Sequence, residues 1–225
     1  MRNHDARAFA LSLLVVVAPT FAGDATFGKN LIRNAGAEAG EASQSGFDVV
    51  PIPKWTSSDN FTAVVYGASG FPTQTDPGPK KRGLNFFSGG PDTPSSSAQQ
   101  TINVGALAAD IDAGTVKYAL SAFLGGFDGQ DDAASLEAVF TDGPGTVLKS
   151  VTLVGPSAAD RGNVTALLKR SGKGKVPVGT RKVQVELTMT RAAGSYNDGY
   201  ADALSLVLNL ATAADEDEDA ANATR

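Results

Sequence analysis

Two short segments concentrate the side chains best suited to recognition chemistry. One is Gly125-Gly126-Phe127-Asp128-Gly129-Gln130-Asp131-Asp132, and the other is Ser195-Tyr196-Asn197-Asp198-Gly199-Tyr200. Each mixes glycine, carboxylate, amide and an aromatic ring. Sugar recognition needs that mixture: a flat ring for the C–H face of a pyranose and planar polar groups for its hydroxyls. Phe127, Asp128, Gln130, Asp131, Tyr196, Asn197 and Asp198 are therefore the candidate ligand contacts, on two loops expected to converge at one rim. The plainer reading is two solvated turns with their aromatics folded back on the core.

Other chemistry is excluded by composition. The chain has no cysteine, which removes disulfides, thiolate catalysis and cysteine-ligated zinc. Its one histidine, His4, precedes the apolar run Phe9 to Ala18. Arg2 and Arg7, that run and Thr20-Phe21-Ala22 read as a cleaved secretory signal over residues 1–22, too short to span a bilayer. The exported chain then has no histidine for a Ser-His-Asp triad, a zinc site or a general base. Glu137 and Glu186 are the carboxylates nearest to a glycosidase pair, but they read as residues of wet strand faces. A catalytic residue is not expected.

The elements that must position these segments are strands. Val183, Val185, Leu187 and Met189 alternate with Lys182, Gln184, Glu186 and Thr188, as do Val116, Tyr118, Leu120 and Ala122 with their polar neighbours. Leu136, Ala138 and Phe140 form a third such run, and Leu204, Leu206, Leu208 and Leu210 a fourth. Weaker strand candidates are Asn30–Arg33, Phe61–Tyr66, Leu84–Phe87, Gln99–Val104, Thr146–Val154 and Asn163–Lys169. Clusters such as Asp76-Pro77-Gly78-Pro79 and Asp142-Gly143-Pro144-Gly145 supply the turns. This pattern predicts one all-β domain over residues 23–210, a two-sheet antiparallel sandwich or barrel. Trp55 is expected in its core. Lys169, Arg170, Lys173, Lys175, Arg181 and Lys182 are expected to crowd a solvated, glycine-containing hairpin.

Of the 24 acidic residues, five stand together at Asp215-Glu216-Asp217-Glu218-Asp219, so the low net charge belongs largely to residues 211–225, expected to be a disordered tail. The nearly neutral body predicts no nucleic-acid surface. No segment after residue 22 is long and apolar enough for a membrane span.

Asn30-Leu31-Ile32-Arg33-Asn34-Ala35-Gly36-Ala37-Glu38-Ala39-Gly40, followed by Trp55, resembles the opening of galactose-binding-like carbohydrate-binding modules. Tyr200-Ala201-Asp202-Ala203-Leu204-Ser205-Leu206 resembles their closing strand. The resemblance implies a β jelly roll whose first and last strands are neighbours, bringing Glu38 and Asp202 together around a structural calcium ion. Two adjacent carboxylates repel unless a cation lies between them, and calcium takes six to eight oxygen ligands. Turn capping or pairing with a basic side chain are the alternatives for both acids. The two recognition loops then offer a ligand site or a second calcium site. The expected function is a secreted, non-catalytic module binding a polysaccharide or glycoconjugate; the alternative is an extracellular structural or adhesive protein with a protein partner.

Overall fold

A computed structural model describes Thr20–Phe21 and residues 25–212. Most of the expected leader (1–22) and most of the acidic tail (211–225) lie outside the described residues. The strands are β1 (Thr20–Phe21), β2 (Thr56–Ser58), β3 (Thr62–Val65), β4 (Asn85–Pro91), β5 (Ser95–Asn103), β6 (Val116–Gly126), β7 (Ala133–Thr141), β8 (Val147–Val154), β9 (Ala166–Lys175), β10 (Lys182–Thr190) and β11 (Tyr196–Leu210). A short helix, α1 (Ala108–Asp112), links β5 to β6. No helix among the described residues is long and apolar enough to cross a membrane.

The strands form two sheets. The first runs β1-β5-β10-β7-β8, with β2 also paired to β5; the second runs β3-β4-β11-β6-β9. Every pairing is antiparallel except the two-residue contact of β1 with β5. The predicted sandwich is therefore the observed one. Its core follows the period-two pattern: Val183, Val185, Leu187 and Met189 of β10 face Leu120, Leu124, Leu204 and Leu206 of the other sheet in one buried cluster. Trp55 joins this core, its ring 5.6 Å from that of Phe87 and its indole N–H donating to the Asn34 carbonyl at 3.1 Å.

Three local expectations are corrected. Asn30–Arg33 is not a strand, since Asn30 makes only an isolated bridge to Val207. Its side chain instead bonds β11 directly, through the Leu204 carbonyl and the Leu206 N–H. The basic stretch after Lys169 is not a hairpin but strand β9, paired with β6 along its length. Gly174 lies in that strand because a Cβ there would meet the Tyr118 hydroxyl at 3.0 Å. Ser195–Tyr200 is not a loop beyond its first residue, because Tyr196 and Tyr200 bury their rings and extend β11 backwards.

Those rings belong to a second apolar cluster on the opposite face of the β3-β4-β11-β6-β9 sheet. Val64, Tyr66, Phe71, Phe86, Tyr196 and Tyr200 pack there, flanked by half-buried Phe123 and Phe127. Phe86 and Tyr200 meet edge to face at 5.3 Å, as do Phe71 and Tyr196 at 5.1 Å. This half of the sheet is thus covered on both sides.

Candidate functional site

The chain's opening segment does lie along its last strand. Leu31 N–H donates to the Leu206 carbonyl at 2.8 Å, and Leu204 N–H to the Ala35 carbonyl at 2.9 Å. Between them a pocket of about 410 Å³ is lined by Gly36, Glu38, Lys81, Arg82, Asp202 and Ser205, among others. A Cβ on Gly36 would stand 3.0 Å from Asp202 Oδ1 and 3.8 Å from Glu38 Cγ, so both acids border one small cradle that only glycine leaves open.

The two carboxylates are held differently. Glu38 is exposed, and its oxygens accept from the N–H groups of Leu84 at 3.1 Å and Asn85 at 2.9 Å. Gly83 has φ +71 and permits this approach, since a Cβ there would come within 2.4 Å of Glu38 Oε1. Asp202 is only 1% exposed. Tyr66 O–H donates to its Oδ2 at 2.8 Å and Ala203 N–H to its Oδ1 at 2.5 Å. Burial pushes the Asp202 pKa up to about 7; the Glu38 charge acts in the same direction, against the two donors and the more distant Arg82.

Arg82 does not neutralise the pair by contact. Its guanidinium is held by the carbonyls of Thr73, Asp76 and Pro79 and lies 5.1 Å from the Tyr66 ring centroid. A hard cation suits the pocket chemically, because the Asp202 oxygens each accept one hydrogen bond and retain lone pairs. Among the described residues no group of three or more acidic, histidine or cysteine side chains is placed to hold a metal. Further ligands would have to be backbone carbonyls or water.

The two recognition segments also meet, through a residue outside the predicted set. Asp132, fully buried, accepts from Ala192 N–H at 2.7 Å, Ala193 N–H at 3.0 Å and Asp198 N–H at 2.8 Å. Beneath them Arg161, 4% exposed, gathers four carbonyls: Gly126 at 3.0 Å, Asp128 at 2.8 Å, Val164 at 2.6 Å and Gln130 at 2.5 Å. Converging carbonyls are what a second cation would take, and here a guanidinium fills that place.

The predicted ligand contacts divide accordingly. Asp128 and Asp131 are exposed, and Phe127 and Gln130 are half-buried. Tyr196, Asn197 and Asp198 are buried within β11 and serve internal bonds. Tyr196 O–H donates to the Gly46 carbonyl at 2.8 Å, and Asn197 Nδ2 donates to the Met189 carbonyl at 3.2 Å. Asp198 accepts a short bond from Tyr200 O–H, and its burial, reinforced by Asp132, pushes its pKa up to about 6. Glu137 and Glu186 are cross-strand partners on the outer face of the other sheet, a juxtaposition that strand alternation alone did not reveal.

Sequence reasoning missed Phe47. Its ring is 64% exposed, yet it sits edge-on to Tyr196 at 5.5 Å and Phe71 at 6.4 Å. Ser43 Oγ accepts from Gly46 N–H at 2.8 Å and Asp48 N–H at 3.2 Å, closing the turn that presents it. The signal was present in Ser43-Gln44-Ser45-Gly46-Phe47-Asp48, a polar run with one aromatic, like the two segments that were singled out.

No protein-family model matches this sequence, and no curated protein matches it significantly. Similar solved structures include a cyclase from Fischerella sp. TAU in complex with 4-(1H-indol-3-yl)butan-2-one, which shares the fold (TM-score 0.52, 14% identity, covering 85% of this chain and all of that one). Among the others are TmCBM61 in complex with β-1,4-galactotriose (TM-score 0.46, 17% identity, 81% and 99% covered) and a family 16 carbohydrate-binding module (0.46, 16%, 79% and 99%). An enzymatically active domain of bacteriophage CBA120 tailspike protein 4 also matches (0.47, 15%), with this chain spanning 21% of its length.

Proposed function

We propose that this chain is a secreted, non-catalytic carbohydrate-binding module with a structural calcium ion. The observation that carries the reading is Phe47: a solvent-facing ring braced edge-on by two buried aromatics, which suits stacking on a sugar. Phe127 borders the same aromatic cluster, and Asp128 and Asp131 offer exposed acceptors nearby. Export rests on the leader pattern of residues 1–22. Calcium would be held by Glu38 and Asp202, supplying a fixed positive charge where a buried carboxylate otherwise lacks one. The non-catalytic reading rests on the two carboxylates with raised pKa: Asp198 and Asp202 are each tied to a tyrosine hydroxyl.

A glycan array probed with the exported protein, with and without calcium, tests this. Retention of a polysaccharide class is expected, with Phe47→Ala weakening it roughly tenfold or more, as for other exposed aromatic anchors. Phe127→Ala should weaken it less. Clean self-association with no glycan signal would instead support the adhesive alternative, and hydrolysis of a chromogenic glycoside would overturn the non-catalytic reading.

A further inference from the structure

Two sheets have four edges, and among the described residues three of them are covered or guarded. β5 carries β2 along residues 97–99. β3 carries the Ser43 segment: Ser43 N–H donates to the Ala63 carbonyl at 2.8 Å, and Val65 N–H donates to the Ser43 carbonyl at 3.1 Å. β9 presents exposed Lys169, Lys173 and Lys175, and lysines along an edge hinder the approach of another strand. β8 is the last strand of its sheet and differs from the other three. Its one charged residue is Lys149, whose ammonium lies 5.1 Å from the Tyr118 ring centroid, turned onto its own sandwich. The exposed side chains at its ends are apolar: Val147 and Leu148 at one, Val154 at the other.

Gly155 N–H donates to the Ala134 carbonyl at 2.9 Å, which in the β7 register makes the odd-numbered residues of β8 those bonded to β7. Ser150 and Thr152 therefore aim their N–H and C=O groups away from the sheet. At the strand's end the Val154 carbonyl accepts from Arg170 Nε–H at 3.3 Å. The strand is complementary to itself. Laid antiparallel about a two-fold axis at Val151, Ser150 of each copy faces Thr152 of the other, which allows four backbone hydrogen bonds across the seam. That register sets exposed Leu148 opposite exposed Val154, and Lys149 opposite Leu153. The two lysines then stand about 13 Å apart along the strands, so no like charges oppose each other.

We infer that β8 is a docking edge for a second copy of this chain, joining the β1-β5-β10-β7-β8 sheets of two molecules into one. Phe47 packs on Tyr196 of the other sheet, so the aromatic site stays open in each copy. The seam is one strand wide, and the dimer is accordingly weak, half formed at roughly 100 µM.

Sedimentation velocity between about 5 µM and about 500 µM tests the inference, with a shift from monomer to dimer expected over that range. Thr152→Lys places a charge on the seam at a position exposed in the monomer, and Ser150→Pro removes an outward donor. Each should keep the chain monomeric, whereas Phe47→Ala should dimerise as the parent does. Val151 meets its own copy as a non-hydrogen-bonded pair with Cα atoms about 4.5 Å apart, within disulfide range. In this cysteine-free chain Val151→Cys should therefore oxidise to a covalent dimer much faster than Ser171→Cys on exposed β9. A parent that stays monomeric at the highest concentration, or a dimer that both seam variants leave intact, would overturn the proposal. So would dimerisation lost in Phe47→Ala, or Val151→Cys oxidising no faster than Ser171→Cys.

Discussion

In a chelating buffer, moving the protein from about pH 5 to about pH 8 is expected to lower its melting temperature by roughly 10 °C. Asp202 is the reason. Burial, helped by Glu38, holds its folded-state pKa at about 7. An aspartate in the unfolded chain titrates near ~3.9. Between those values the folded state keeps a proton that the unfolded state has lost, so stability falls as pH rises and levels off above the folded pKa. Only the two pH units from 5 to 7 lie on that slope, and at about 1.4 kcal/mol each they amount to about 3 kcal/mol. Asp198, pushed up to about 6, adds a smaller change of the same sign. Calcium reverses the balance, because it binds the ionised carboxylates: adding it at about pH 8 should restore the melting temperature. Asp202→Asn should lose both the steep pH dependence and the calcium response, and in chelator at about pH 8 it should melt no lower than the parent. A parent melting curve that calcium leaves unmoved at about pH 8 would remove the ion from this pocket.

Arg161→Ala is expected to destabilise the fold by about 3–5 kcal/mol, lowering the melting temperature by roughly 10 °C or more at any pH and in either metal condition. The loss comes from the groups left behind. The Gly126, Asp128, Gln130 and Val164 carbonyls would face one another around a void, each forfeiting a charge-assisted bond. Arg161→Lys should recover only part of the loss, because an ammonium has three donors and no planar fork to span carbonyls from two loops. Urea denaturation of both variants measures this. A change under about 1 kcal/mol for Arg161→Ala would show that water can replace the guanidinium.

The fold was legible because alternation is a local signal: β6, β7, β10 and the second half of β11 each show it within seven residues. Tyr196 to Tyr200 was not legible, because a strand buried on both faces loses its alternation and its polar residues then resemble a loop. Glu38 and Asp202 were recognisable only as a resemblance spanning the chain, and the structure brings both to one pocket. Arg161 left no trace in sequence, and Asp132 stood at the end of a recognition segment with nothing to show that it would be buried. An arginine among Ala, Asp and Gly looks like any surface arginine until the carbonyls of a loop more than thirty residues upstream close around it. Phe47 differs again: its short motif was visible, but nothing in the sequence showed that Tyr196 and Phe71 would brace it.

The double covering of β4 and the first half of β11 has a consequence for how the molecule breathes. Phe86 and Phe87 point to opposite sides of the sheet and are both fully buried, as are Tyr200 and Ala201. Water reaches their peptide N–H groups only when both apolar layers part together. In deuterated solvent, amides of Phe86–Ser88 and Tyr200–Ala201 should therefore exchange last, at rates reporting global opening. Those of the edge strands β8 and β9 should exchange through small local excursions long before.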